Sequence, residues 1–446
     1  MSYDDIAAFA LGALAVPEDA MDMAATLLID TLGVGAGAAG LRSGRIARDH
    51  AARFMAAGTA VDAATLLFDG RRASFPGAAF ALATQIDNLD AHDGYNPTKG
   101  HIGCAVVPAL CAFAEAMPAL TARDALVALV MSYELSARAA ITLHATVSDY
   151  HTSGAWNALG VAALGARLRG MKPGQLRHAL GIAEYHGPRS QMMREIANPT
   201  MLHDGSGMGA LAGAMAVLLA EDGFEGAPAI TVEAPEAAPH WADLGQSWTI
   251  TQNYIKPYPI CRWAHAAIDG LGGLLDAHGL AADDITRIDV NTFGQAASLF
   301  AGMPDTTSQA QYSLGFALAV RAVHGRIGPE HIAGAGLRDV AVAAILPRIT
   351  VSEDARHSVR FPQGRWSDVT LTLRDGRVLN SGDVHARGGP EAPMPLAEVE
   401  TKFHAMSGAL SETRKTAIWN MRAQMLRPET RFDDLLALLH GPTDQA

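Results

Sequence analysis

Ala122–Ile141, ARDALVALVMSYELSARAAI, is apolar on nearly every face of a 3.6-residue helix. A helix of that kind cannot lie on a surface; it packs among other helices. The same pattern recurs at Asp22–Ala38 (DMAATLLIDTLGVGAGA), Pro76–Asp90, Cys104–Met117 and Ser153–Gly170, each with a capping or breaking residue near its ends. The first 225 residues or so therefore read as a multilayer helical bundle. Alanine and glycine dominate the apolar set while aromatics make up only 6% of the chain, which favours helices in close contact.

The character changes after His265. Asp283–Phe293 (DDITRIDVNTF) and Trp366–Val384 (WSDVTLTLRDGRVLNSGDV) alternate in the strand manner, the second with Asp375-Gly376 as a hairpin turn. Helical stretches are predicted between them, at Gln309–His324 and Pro329–Leu346. Gly388–Pro395 reads as a linker, and Leu396–Gly408 returns to helix. The expected fold is mainly α. Residues 1–265 and 393–446 form a large all-α domain, because the last fifty residues make a poor independent core, and 266–392 form a smaller α+β lid.

With 446 residues, 49% hydrophobic and 18% charged, the chain can bury a large core. A net charge of -12 and the lack of any Lys/Arg run argue against nucleic acid as a partner. An anionic substrate would need locally placed cations. Cys104, Cys111 and Cys261 have no CxxC spacing, so neither a disulfide framework nor a zinc site is indicated, and a reducing cytoplasm fits. The acidic start MSYDDIAAFALGALAVPED lacks the basic region of a signal peptide. Gly205–Ala220 is short for a membrane span and reads as a buried helix.

Four segments concentrate chemistry, and a fifth adds a tyrosine. In Asp87–Pro108 (DNLDAHDGYNPTKGHIGCAVVP), Asp90, His92, Asp93 and His101 stand among residues that turn the chain, so a loop can aim several acid-base groups at one point. Asp149–Gly160 (DYHTSGAWNALG) places Tyr150, His151 and Thr152 before a helix N-terminus, a ready seat for a carboxylate. Tyr254–Gly270 (YIKPYPICRWAHAAIDG) sets Lys256, Tyr258, Arg262 and His265 at the boundary between the two domain types, where clefts form. Ala183–Gly207 carries Arg189, Arg194, His203 and Asp204, and Gln309–Ala319 adds Tyr312. Each has a plainer reading as helix caps, surface charge or core aromatics. There is no GxGxxG after a strand, no GxxxxGK[ST], no HExxH and no GxSxG. Cofactor-free acid-base chemistry remains, with no metal expected.

Taken together, IDTLGVGAGA, DNLDAHDGYNPTKGHIGCAVVPAL, SYELSARAA, YHTSGAWNALGVAALGARLRGM, DGSGMGALAGAMAVLLAEDGFEGAP, YIKPYPICRWAHAAID, AQYSLGFALA and PMPLAEVETKF resemble the MmgE/PrpD family in order and approximate spacing. That family includes 2-methylcitrate dehydratase, cis-aconitate decarboxylase and iminodisuccinate epimerase. The resemblance implies a homodimer with its active site between the all-α domain and the lid. It puts the family's acidic loop on Asp90 and Asp93, its loop histidine on His101, and its helix-leading histidine on His151. The histidine after KPYP becomes His265, and the lid tyrosine becomes Tyr312. Two departures stand out: Leu202-His203 where many relatives carry a lysine, and Asn96 where a histidine is common, in a loop one residue longer.

The chemistry so implied is abstraction of a proton alpha to a carboxylate, with cations stabilising the anion. His101 and His151 are expected as acid-base groups, with Tyr150 in reserve and Asp90, Asp93 and His265 in support. Thr152, Arg189, His203, Lys256, Tyr258, Arg262 and Tyr312 are expected to bind the substrate. A lyase acting on a small di- or tricarboxylate, of the 2-methylcitrate or citrate dehydratase type, is favoured. The alternatives are an epimerase of an imino- or amino-dicarboxylate, a cis-aconitate-type decarboxylase and, last, a non-catalytic carboxylate-binding protein.

Overall fold

A computed structural model describes residues 1–444. The bundle opens with α1 (Tyr3–Leu11), α2 (Glu18–Ala38) and α3 (Arg42–Phe54), then a small antiparallel hairpin, β1 (Ala63–Thr65) and β2 (Arg72–Ser74). It continues through α4 (Phe75–Asp87), α5 (Gly103–Ala114), α6 (Ala122–Thr146), α7 (Gly154–Leu168), α8 (Pro173–His186), α9 (Met192–Ala197) and α10 (Ser206–Glu221). Side chains cap the starts as the sequence leads one to expect: Ser74 accepts the Gly77 N–H and Thr121 the Asp124 N–H. Helix α7 lies at the centre, against α5, α6, α8 and α10, while α4 packs on α10, α5 and α3.

Small residues permit this density. A Cβ at Gly160 would stand 1.8 Å from Ser136 Oγ across the α6–α7 contact, and one at Gly213 2.4 Å from the Ala158 carbonyl oxygen across α7–α10. Helix α6, the segment that reads as apolar all round, is long and apolar enough to cross a membrane, yet it is mostly buried among its neighbours. Helix α10 differs from its expected burial: Met208 and Met215 point outward on it.

After the short helices α11 (Ile230–Glu233) and α12 (Ala238–Trp241), an irregular connector leads to the α+β part. This comprises α13 (His265–His278), β3 (Ile285–Thr292), α14 (Gly294–Ala297), α15 (Thr307–Gln311), α16 (Leu314–His324), α17 (Val340–Ile345), β4 (Ile349–Glu353), α18 (Ala355–Ser358), β5 (Trp366–Leu373), β6 (Val378–Asn380) and β7 (Val384–His385). The sheet runs β4-β3-β5-β6, with β7 also on β5; β3–β4 is parallel and the other pairs antiparallel. Ile285, Ile288 and Val290 of β3 point inward, and α13 covers β5 and packs against α16.

Two expectations about this part change. The helix predicted over Pro329–Leu346 is broken into separate turns before α17, because Gly334 takes φ +57° and the chain folds back so tightly that a Cβ at Gly336 would lie 2.4 Å from the Glu330 carbonyl. The stretch Gln309–His324 is two helices, since Ser313 turns out of the first and caps the second through the Phe316 N–H. Strand β4 is an addition.

The chain then returns to the bundle. Helices α19 (Leu396–Met406), α20 (Glu412–Gln424) and α21 (Phe432–Leu439) follow, with α19 and α20 on α2. The fit at α2 depends on glycine: a Cβ at Gly37 would be 1.9 Å from the Met406 carbonyl oxygen. From α19, the fully buried Lys402 ammonium donates to Asp30 Oδ1 at 2.7 Å and to the Ala91 carbonyl at 2.7 Å.

Candidate active site

The loop between α4 and α5 is held at three points. Lys402 grips it at Ala91, and Lys256 donates to the Asp90 carboxylate and, at 3.2 Å, to the Asp90 carbonyl. Gly94 and Tyr254 exchange both backbone hydrogen bonds, at 3.1 and 2.8 Å. Gly94 must be glycine there, since a Cβ would meet Tyr254 Oη at 2.3 Å and His101 Nδ1 at 2.8 Å. Asp90 and Lys99 adopt left-handed backbone, φ +56° and +54°, which turns both side chains into the same cavity.

That cavity lies between the bundle and the α+β part. Asp90, Lys99 and His101 come from the loop, Tyr150 from the segment before α7, and Asp204 from the turn before α10. Tyr254, Lys256 and Arg262 come from the connector, Tyr312 and Arg365 from the α+β side. The void between them is about 20 Å³, room for one water molecule. A larger molecule fits there only if the two sides part.

His101 is set as a base. Its Nδ1 lies 2.7 Å from the Asp93 carbonyl, which can only accept, so Nδ1 carries the proton and Nε2 keeps its lone pair. Nε2 stands 3.7 Å from Asp204 Oδ2. Ser153 fixes both partners: its hydroxyl donates to Asp204 Oδ1 at 2.8 Å and accepts the His101 N–H at 3.0 Å. Burial, with the Lys256 charge, pushes the imidazole down to about 4, so it is neutral near pH 7.

The other groups are tuned the same way. Burial raises Asp90 to about 6 while Lys256 pulls the other way. Burial lowers Lys256, but Asp90 and its neighbours outweigh this and the ammonium is held. Burial and the Asp204 charge push the Tyr150 hydroxyl well up, so it stays a proton donor, here given to the Lys99 carbonyl. Arg262 lies 4.1 Å over the Tyr254 ring and donates to the carbonyls of Ala386 and Arg387.

Several expected residues are not gathered here. His151 and Thr152 do not line this cavity: the His151 N–H goes to His144 Nε2, and Thr152 lines a neighbouring pocket. The expected carboxylate seat at the α7 N-terminus is already filled, since the Gly154 N–H donates to the Asp204 carbonyl. Arg189 is exposed. The Tyr258 hydroxyl donates to Asp269 at 2.9 Å, and His265 gives its Nε2 proton to the Ile260 carbonyl behind the wall. Asp93 is turned away, between the Tyr133 hydroxyl and Gly103, where burial raises it to about 7. His203 backs the cavity with its ring 5.4 Å from that of Tyr312 and opens onto the same neighbouring pocket as Thr152.

Lys99, Asp204, Tyr254 and Arg365 join the site instead. Asp204 stands among the ionisable residues of its segment but with no role read for it, and Arg365 has no local signal. Two buried trios, Asp90–His92–His101 and Asp87–His92–Cys104, bring possible ligand atoms within 4.8 Å of one another. They are poor cation seats: Lys256 holds Asp90, Asp93 holds His101 Nδ1, and burial pushes the Cys104 thiol well up.

No curated protein matches the chain. Residues 4–241 match the MmgE/PrpD N-terminal domain, and residues 258–425 match the MmgE/PrpD C-terminal domain.

Proposed function

From the premise that the chain belongs to the MmgE/PrpD family, whose members are in general lyase-type enzymes, we propose that it is a cofactor-independent dehydratase of a small polycarboxylate. The observation that carries this reading is His101: a neutral imidazole with its lone pair turned into a cavity ringed by cations. Such a base can take a proton from the carbon alpha to a carboxylate. The charge that develops on that carboxylate is stabilised by Lys256 and Arg262, fixed before the substrate arrives. The Tyr150 hydroxyl then protonates the departing beta-hydroxyl, which leaves as water, and the proton on His101 restores the tyrosine.

The test is proton NMR in heavy water with citrate, methylcitrate, tartrate, aconitate and iminodisuccinate. A dehydratase yields an unsaturated acid and loses the alpha proton in wild type but not in His101→Gln. Deuterium exchange at the alpha carbon with no loss of water or carbon dioxide replaces this reading by an epimerase, and carbon dioxide release replaces it by a decarboxylase. We also propose that the protein works as a homodimer. The exposed Leu202, Met208 and Met215 support a partner face there, the two methionines one heptad apart on α10.

A further inference from the structure

Arg262 and Arg365 share an uncommon condition. Both are almost fully buried, at 3% and 2% exposure. Neither has a carboxylate within 4.0 Å among the described residues, and the Nε of each has no hydrogen-bond partner. Arg262 is satisfied by two carbonyls, Arg365 by the Pro362 carbonyl and the face of Phe361 at 5.1 Å. Carbonyls and rings do not neutralise a guanidinium. A buried cation without a counter-ion is among the costliest arrangements in a protein, and it persists where something anionic joins it.

The charge around the cavity gives the size of that missing partner. Four cations line it, Lys99, Lys256, Arg262 and Arg365, against two carboxylates, Asp90 and Asp204. Two positive charges are left over. The groups behind the wall do not cancel them: Asp269 is paired with Arg387 and Glu391 is exposed, while Lys402 pairs with Asp30 and burial raises Asp87 and Asp93 towards their neutral forms. Arg365 comes from the α+β side and Lys256 from the connector, so the excess charge is spread across the cleft.

Resting on the reading of this cavity as the substrate site, we propose that Arg365 is a substrate-positioning residue and that with Arg262 it selects a substrate carrying two carboxylates over one carrying one or three. One carboxylate sits near Lys256 and Arg262, where the alpha carbon faces His101. The other meets Arg365 and closes the α+β side onto the bundle.

The test measures binding, so it stands apart from whether the chemistry is dehydration. Isothermal titration at pH 6.5, where Asp90 is mainly ionised and Asp93 mainly neutral, compares unreactive probes of one, two and three carboxylates: butyrate, succinate and tricarballylate. In wild type, succinate is expected to bind at least tenfold tighter than butyrate, and tricarballylate no tighter than succinate. Arg365→Gln is expected to lose roughly 10- to 100-fold in succinate affinity and less than about threefold for butyrate. Arg377→Gln, the same charge change at an exposed position, leaves both unchanged. If Arg365→Gln does not fold, Arg365→Lys keeps the charge but not the planar fork, and loses affinity for succinate alone. Tighter binding of tricarballylate than succinate, or an equal loss for succinate and butyrate in the Arg365 variants, overturns the proposal. The binding pattern with no unsaturated product from any acid would instead overturn the dehydratase reading and leave this one standing.

Discussion

Lys256→Met tests whether the Lys256–Asp90 pair is what holds the acidic loop in place. The two side chains are 0% and 3% exposed, so removing the ammonium leaves a carboxylate and a backbone carbonyl without their donor, away from water. Breaking a buried pair this way costs about 3–5 kcal/mol. With an unfolding entropy of roughly 2.1 cal/mol/K per residue, a chain this long loses about 1 °C of Tm per kcal/mol, so a fall of ~3–5 °C is expected by calorimetry at pH 7.5. Asp90→Asn alone strands the ammonium and also destabilises. In the double variant neither charge remains, and at least half of the Lys256→Met loss should return. The pH dependence has a definite sign. Without Lys256, the folded-state pKa of Asp90 rises above about 6, further from its ordinary value of 3.8. The folded protein then binds the proton more readily than the unfolded chain, so the deficit is largest above that raised pKa and shrinks as pH falls through it. Single-variant losses that simply add in the double variant, to within ~0.5 kcal/mol, or a deficit equal at pH 5 and pH 8, would refute the reasoning.

His101→Gln should lower turnover by about 10²–10⁴-fold with little change in Tm. Because the working form is the neutral imidazole, with its pKa near 4, and Asp90 titrates near 6, kcat/KM should fall only as pH drops below about 6. An ascending limb centred above pH 7 counters that assignment. His151→Ala should keep turnover within about threefold, since that ring does not line the cavity; a hundredfold loss in steady-state assays would restore it to the machinery. Gly94→Ala forces a methyl to 2.3 Å from Tyr254 Oη. It should cost ~1–3 kcal/mol and lower kcat, and a variant with wild-type Tm and rate contradicts the three-point tethering of the loop.

The helical bundle was legible because its helices are apolar all round, a pattern that only burial among other helices explains. Strand β4 was not, because ITVSE has a half-exposed, mostly polar face and borrows its order from β3. At the site, Asp90, His101, Lys256 and Arg262 could be named because ionisable groups crowd irregular segments there. Tyr150 lines the cavity and His151 does not, a difference the local sequence does not carry: in extended backbone adjacent side chains point opposite ways, and nothing local says which faces the cleft. Arg365 was invisible. Its neighbours Gly364 and Trp366 form no motif, and its place is set by the α+β part lying over the bundle.

The grip of Lys402 on Ala91 joins residues 311 positions apart in the chain. During synthesis, the loop that carries Asp90 and His101 leaves the ribosome long before its clamp exists. Until α19 follows, Asp30 is a buried acid with no cation and the loop lacks one of its three ties. The loop of the candidate site therefore cannot hold all three of its ties until α19 has docked on α2.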